Sequence, residues 1–119
     1  MDGLALSGRA ILVVEGEPFA ALDAETILRD AGAKVFGVHR LRDALHMAEH
    51  PALSAAVVAQ RLGKDDTTKV CRRLADLGVP FMFHTSYAAE ARQKWPDAPV
   101  VLKPASAREL IGAVAGLLS

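Results

Sequence analysis

Five times over, a short apolar run in this chain gives way to a segment of helical period. The runs are Ala10–Val14, Lys34–Val38, Ala55–Ala59, Val79–His84 and Pro99–Leu102. They are short, nearly continuous in apolar character and rich in β-branched residues, which predicts strands buried on both faces. Between them the apolar residues fall three and four apart. Ala20, Ala24, Ile27, Leu28 and Ala31 line one helix, entered through Pro18 and stopped at Gly32. Leu41, Ala44, Leu45 and Ala48 line a second, ended by Pro51, and Val70, Leu74 and Leu77 line a third, closed by Gly78. Ser86 is placed to cap a short fourth helix running to about Lys94. Ser106 and Glu109 have the spacing of a capping box, and Ala107, Leu110, Ile111, Val114, Leu117 and Leu118 form the apolar face behind it. Five buried strands alternating with five helices predict an α/β protein: a doubly wound parallel sheet with right-handed crossovers, in three α/β/α layers.

The 119 residues suit one domain, expected over residues 9–119, with residues 1–8 (MDGLALSG) as a loose lead-in and no output domain. Hydrophobic residues make up 51%, enough for a core without disulfides. Lys plus Arg and Asp plus Glu both number 14, so no net charge draws the chain to nucleic acid or to an anionic membrane. Cys71 is the single cysteine, which excludes an internal disulfide and a cysteine zinc cluster and fits a reducing compartment. No apolar stretch approaches the roughly 20 residues of a membrane span, so a cytoplasmic protein is expected.

In an open parallel sheet, ligands sit beyond the carboxyl ends of the strands. Four groups occupy such ends: Glu15-Gly16-Glu17, Ala59-Gln60-Arg61, Thr85-Ser86 and Lys103-Pro104. Set in their strands, as "ILVVEGEP", "AAVVAQRLG", "FMFHTSY" and "VVLKP", they resemble the receiver domain of bacterial two-component response regulators, in order and over the chain from about Arg9 to Leu118. The resemblance implies sheet order 2-1-3-4-5. It also implies a site whose parts are partly missing. Ala59 stands where receivers carry the phosphoacceptor Asp. Gly16 stands where an acid binds Mg²⁺ directly. Glu15, Thr85 and Lys103 match the family's second acid, its switch hydroxyl and its lysine. The switch aromatic position is held by Val100.

Acyl phosphate formation needs a carboxylate nucleophile and a divalent cation held by carboxylates. Ala59 and Gly16 supply neither, so no catalytic residue, no cofactor and weak or absent Mg²⁺ binding are expected. The expectation is a stand-alone pseudo-receiver, not an enzyme. It would work by phosphorylation-independent contact with a protein partner, a histidine kinase or another regulator, or as a homodimer through the face of the fourth helix, fifth strand and fifth helix. Tyr87 and Trp95 are the candidate anchors there. The alternatives are an anion or small-ligand sensor using Lys103 and Thr85, and a conventional receiver phosphorylated at another residue. Lys103 is expected to pair with Glu15. Arg61 is either a solvated loop side chain or a built-in cation where the metal would sit. His46 and His50 have i, i+4 spacing but no convincing third ligand, so helix-surface histidines are expected. His84 is expected to be a strand histidine beside Thr85, and Cys71 a small buried hydrophobe.

Overall fold

The computed structural model describes residues 4–119. The element order is β1 (Ala10–Val14), α1 (Pro18–Asp30), β2 (Lys34–Val38), α2 (Leu41–Met47), β3 (Ala55–Val58), a two-strand hairpin of β4 (Arg61–Leu62) and β5 (Asp65–Asp66), α3 (Thr68–Asp76), β6 (Phe81–Thr85), α4 (Ala88–Lys94), β7 (Val100–Leu102) and α5 (Ala107–Leu118). The main sheet is parallel with order β2-β1-β3-β6-β7. With the hairpin set aside, this is the 2-1-3-4-5 order that the resemblance implies.

The pleat sends alternate residues to opposite faces. Ile11, Val13, Val57 and Met82 face α1 and α5, where they meet Ala24, Leu28, Leu110 and Val114. Leu12, Val14, Val58 and Phe83 face α2, α3 and α4, where they meet Ala44, Val70, Cys71, Leu74 and Ala91. Most of these side chains are under 3% exposed, and each fully buried Val, Leu or Ile contributes about 1.5–3 kcal/mol of transfer free energy. The strands are continuous apolar runs because both faces are covered.

Helix starts and stops follow local chemistry, with one exception. Glu17 caps α1, its carboxylate accepting from Phe19 N (3.2 Å) and Ala20 N (2.6 Å), with Pro18 in the first turn. Ser106 and Glu109 form the expected reciprocal capping box on α5, each bond 3.1 Å. Ser86, by contrast, does not cap α4. That helix starts one residue later, behind Tyr87, with no side-chain cap. The hydroxyl that takes up the Tyr87 N–H belongs to Thr85 (3.0 Å).

Two other expectations are corrected. The lead-in is not loose over its described part: Leu6 is fully buried in the α1/α5 core, and its N–H donates to Ala31 O at 2.8 Å. Residues 1–3 lie outside the described residues. Gly32, at φ +99°, makes that anchoring fit, since a Cβ there would lie 2.8 Å from Ser7 Oγ. The segment after β3, read as plain loop, contains the β4–β5 hairpin. Gly63 at φ +66° opens its two-residue turn, the position such turns assign to glycine.

Candidate functional site

Backbone bonds carry the sheet one residue past its strands and set the four groups side by side. Glu15 N donates to Val38 O (3.1 Å), Ala59 N to Val14 O (2.8 Å), and Lys103 N to Thr85 O (2.9 Å). Glu15, Ala59 and Thr85 are all buried. The Lys103–Pro104 bond is cis.

Lys103 Nζ reaches back across the sheet end and pairs with Glu15 Oε1. The second carboxylate oxygen of Glu15 accepts from Glu17 N at 3.1 Å. The Glu15 carbonyl accepts from His39 Nδ1 at 2.9 Å, so that nitrogen is the donor. Glu15 is thus held at its carboxylate, its N–H and its carbonyl. Glu17, the other acid of the turn, is spent on the α1 cap.

Ala59 presents only a methyl group, and its carbonyl is taken by Thr67 Oγ1 at 2.7 Å. Thr67 also donates to Gln60 O at 3.1 Å, so it pins the hairpin base instead of capping α3. Gly16 faces the hairpin. A Cβ there would touch Leu62 Cα at 3.4 Å and Leu62 Cδ2 at 3.5 Å. Leu62 is 6% exposed and belongs to the same core cluster as Val14 and Val58. A Cβ at position 16 would thus stand in ordinary van der Waals contact with the apolar side of the hairpin.

Arg61 does not enter the site. Its side chain is more than half exposed and its guanidinium lies 3.6 Å from Glu90 of α4. Lys94 of α4 approaches Asp66 at 3.8 Å, a second link between hairpin and helix. Between them lies Gln60, whose amide orientation follows from its neighbours. With its nitrogen toward Tyr87 O (2.8 Å) and Thr85 Oγ1 (2.9 Å), its oxygen accepts from Ala91 N at 3.2 Å. Thr85 is therefore occupied from two sides, by Gln60 and by Tyr87 N.

His84 points to the α1/α5 side of the sheet. It is buried, and its Nε2 has no hydrogen-bond partner. Burial holds its pKa below the ordinary 6.5, and the nearby Lys103 charge acts in the same direction, against weaker opposition from Glu15 and Asp23. Cys71 is buried and burial pushes its thiol up to about 12, so it is unreactive. His46 is exposed, and His50 packs against Phe36 with ring centroids 4.8 Å apart. Among the described residues no group of three His, Cys, Asp or Glu is placed to hold a metal ion.

Val100 is half-buried in register with Phe83 and packs on the core. Trp95 also packs on the core, edge-on to Phe81 with centroids 5.3 Å apart. Tyr87 is 68% exposed, and so, at 52%, is Leu102, which sequence reading did not single out. Gln60, named only as a strand-end residue, and Leu62, Thr67 and His39 were given no role there. A polar pair one and eight residues past a blank strand end, and a Gly-Lys turn, are the signals that point to the first three.

Five parallel strands with helices on both faces, and a site at the strand ends where sheet order reverses, define a doubly wound α/β domain. Its solved neighbours make the type specific. A response regulator receiver protein from Sinorhizobium medicae superposes with TM-score 0.83 at 29% identity, over 92% of this chain and 94% of that one. The receiver domain of a sensor histidine kinase from Pseudomonas aeruginosa, solved with magnesium coordinated in its active-site cleft, gives 0.82 at 24% identity, over 94% and 98%. The response regulator PhyR from Brucella abortus gives 0.81 at 19% identity, over 96% of this chain and 49% of PhyR. The chain has the response regulator receiver fold. No protein-family model and no curated protein matches its sequence. No helix among the described residues is long and apolar enough to cross a membrane.

Proposed function

We propose that this domain is a pseudo-receiver that signals by protein contact without accepting phosphate. The observation that carries the reading is the state of the three acid positions. Ala59 has no nucleophile, Gly16 has no ligand, and the Glu15 carboxylate is committed to Lys103 and Glu17 N. A magnesium ion needs near-octahedral oxygen ligation with one or two carboxylates free to coordinate. The residues present do not fit it, and no phosphoryl step is derived through it. No pair of nucleophile and base converges at the strand ends, so no enzymatic role is assigned.

The anion-sensor reading is less well supported. Lys103 and Thr85, the two groups it needs, already have partners, and an anion would have to displace Glu15 from one and compete with Gln60 and Tyr87 N at the other. Output then falls to a surface. The α4–β7–α5 face carries the exposed Tyr87 and Leu102, suited to anchor a histidine kinase, another regulator or a second copy.

Incubation with acetyl phosphate and Mg²⁺, read by intact mass, is the test. The expected result is no phosphoryl adduct, and a partner captured by the chain binds equally with and without the phosphodonor. A stoichiometric acid-labile adduct would overturn the proposal.

A further inference from the structure

At the opposite end of the sheet from Glu15 and Lys103, a cleft of about 440 Å³ opens where β6 and β7 begin. Its walls come from the α3–β6 turn, the α4–β7 loop and the end of α5. The volume lies within the range of small-molecule sites. Phe81 and Trp95 lie in it with their rings nearly perpendicular, at 84°. Pro80, Pro96 and Pro99 stiffen the rim. Proline fixes φ, so these walls need little ordering when a ligand enters.

Charge selects the ligand. Among the described residues lining the cleft, Asp97 is the one with a formal charge. The cleft also receives the carboxyl-terminal ends of helices, since Ala75 lies in the last turn of α3, Trp95 directly follows α4, and Leu117 is in the last turn of α5. Helix carboxyl ends carry partial negative charge. The lysine nearest in sequence, Lys94, faces Asp66 on the hairpin. An aromatic and proline wall under a field of one sign suits a cation with a flat apolar body.

We propose that this cleft is a second binding site, specific for a small organic cation with a flat apolar body, such as an aromatic ammonium. The apolar body packs on Trp95 and Phe81 between the prolines, and the ammonium group faces Asp97. The site is independent of the pocket at the far end of the sheet and of whether the domain accepts phosphate.

Trp95 is the only tryptophan in the chain, so its emission reports on binding beside that one ring, and amide shifts at Gly78 and Ala98 place the ligand on its cleft side rather than its hairpin side. The test titrates three probes of one skeleton: phenethylammonium, the neutral 2-phenylethanol and the anionic phenylacetate. The cation is expected to change Trp95 emission saturably, to move the backbone amide resonances of Gly78 and Ala98, and to bind about tenfold more tightly than the alcohol. Phenylacetate is expected not to bind. Asp97→Asn, an exposed position whose loss leaves the core intact, is expected to abolish the preference for the cation over the alcohol. Three probes binding alike, none binding, or an unchanged preference in Asp97→Asn would each overturn the proposal.

Discussion

Lys103 and Glu15, 88 residues apart in the chain, close the end of the sheet with a single ion pair between the carboxyl ends of β7 and β1. The carboxylate is almost fully buried and the lysine about one-quarter exposed. Glu15→Gln leaves the ammonium without its counter-charge while retaining an oxygen for Glu17 N. Breaking a fully buried pair costs about 3–5 kcal/mol, and access of water to Lys103 reduces this, so a loss of about 1–3 kcal/mol is expected in urea unfolding. Adding Lys103→Met to Glu15→Gln should recover part of it. Unchanged stability in the single variant would show that the pair contributes nothing.

An acid placed at position 59 is not expected, by itself, to create a phosphoacceptor. Ala59→Asp places a carboxylate at a buried strand end beside Glu15. Desolvation and like charge should cost about 1–3 kcal/mol. No phosphoryl adduct should form with acetyl phosphate and Mg²⁺, and Mg²⁺ should not raise the melting temperature. An adduct in this variant would show that a carboxylate at position 59 is sufficient for phosphorylation.

Gln60→Ala tests the link between hairpin and α4. It removes the partner of Tyr87 O, Thr85 Oγ1 and Ala91 N together. Faster hydrogen exchange confined to Tyr87–Lys94 and a stability loss of about 1–3 kcal/mol are expected. Exchange that rises equally in α1 would mean global destabilisation instead.

His84 makes stability depend on pH. Its native pKa lies below the ordinary 6.5, so as pH falls past that value the unfolded chain takes up the proton first. The contribution is full above pH 6.5 and is lost as pH falls toward the lower native value. His84→Phe should flatten the unfolding free energy against pH below 6.5. Glu49 and Asp66, whose pKa values are also lowered, by hydrogen bonds to Arg73 and Thr68 respectively, act in the same direction but only in the carboxylate range. A slope unchanged by His84→Phe would assign the dependence elsewhere.

The sheet was legible because its signals are local. β1 and β2 run over the expected residues, since Ala10–Val14 and Lys34–Val38 are bounded by a loop or turn at each end. β3 stops at Val58, although Ala59 continues the pairing by one bond. β6 begins at Phe81, two residues later than the apolar run suggests, because Val79 and Pro80 form the approach from α3. The ends of the site were legible too, as strand-end residues. Its closure was not. That Leu62 turns in and Arg61 turns out depends on a hairpin whose register is fixed by Gly63 and Thr67. That Gln60, not Ser86, organises the start of α4 depends on two segments meeting that lie 25 or more residues apart. Leu6 was read as loose because Leu4, Ala5 and Leu6 form a run too short, between Gly3 and Ser7, for any period to reveal which side chain is buried.

The approach of Leu62 to Gly16 ties two distant parts of the chain together. A side chain introduced at position 16 would begin in ordinary contact with the hairpin, 3.4 Å from Leu62 Cα and 3.5 Å from Leu62 Cδ2. Any redesign of the turn between β1 and α1 therefore has to be judged together with the β4–β5 hairpin.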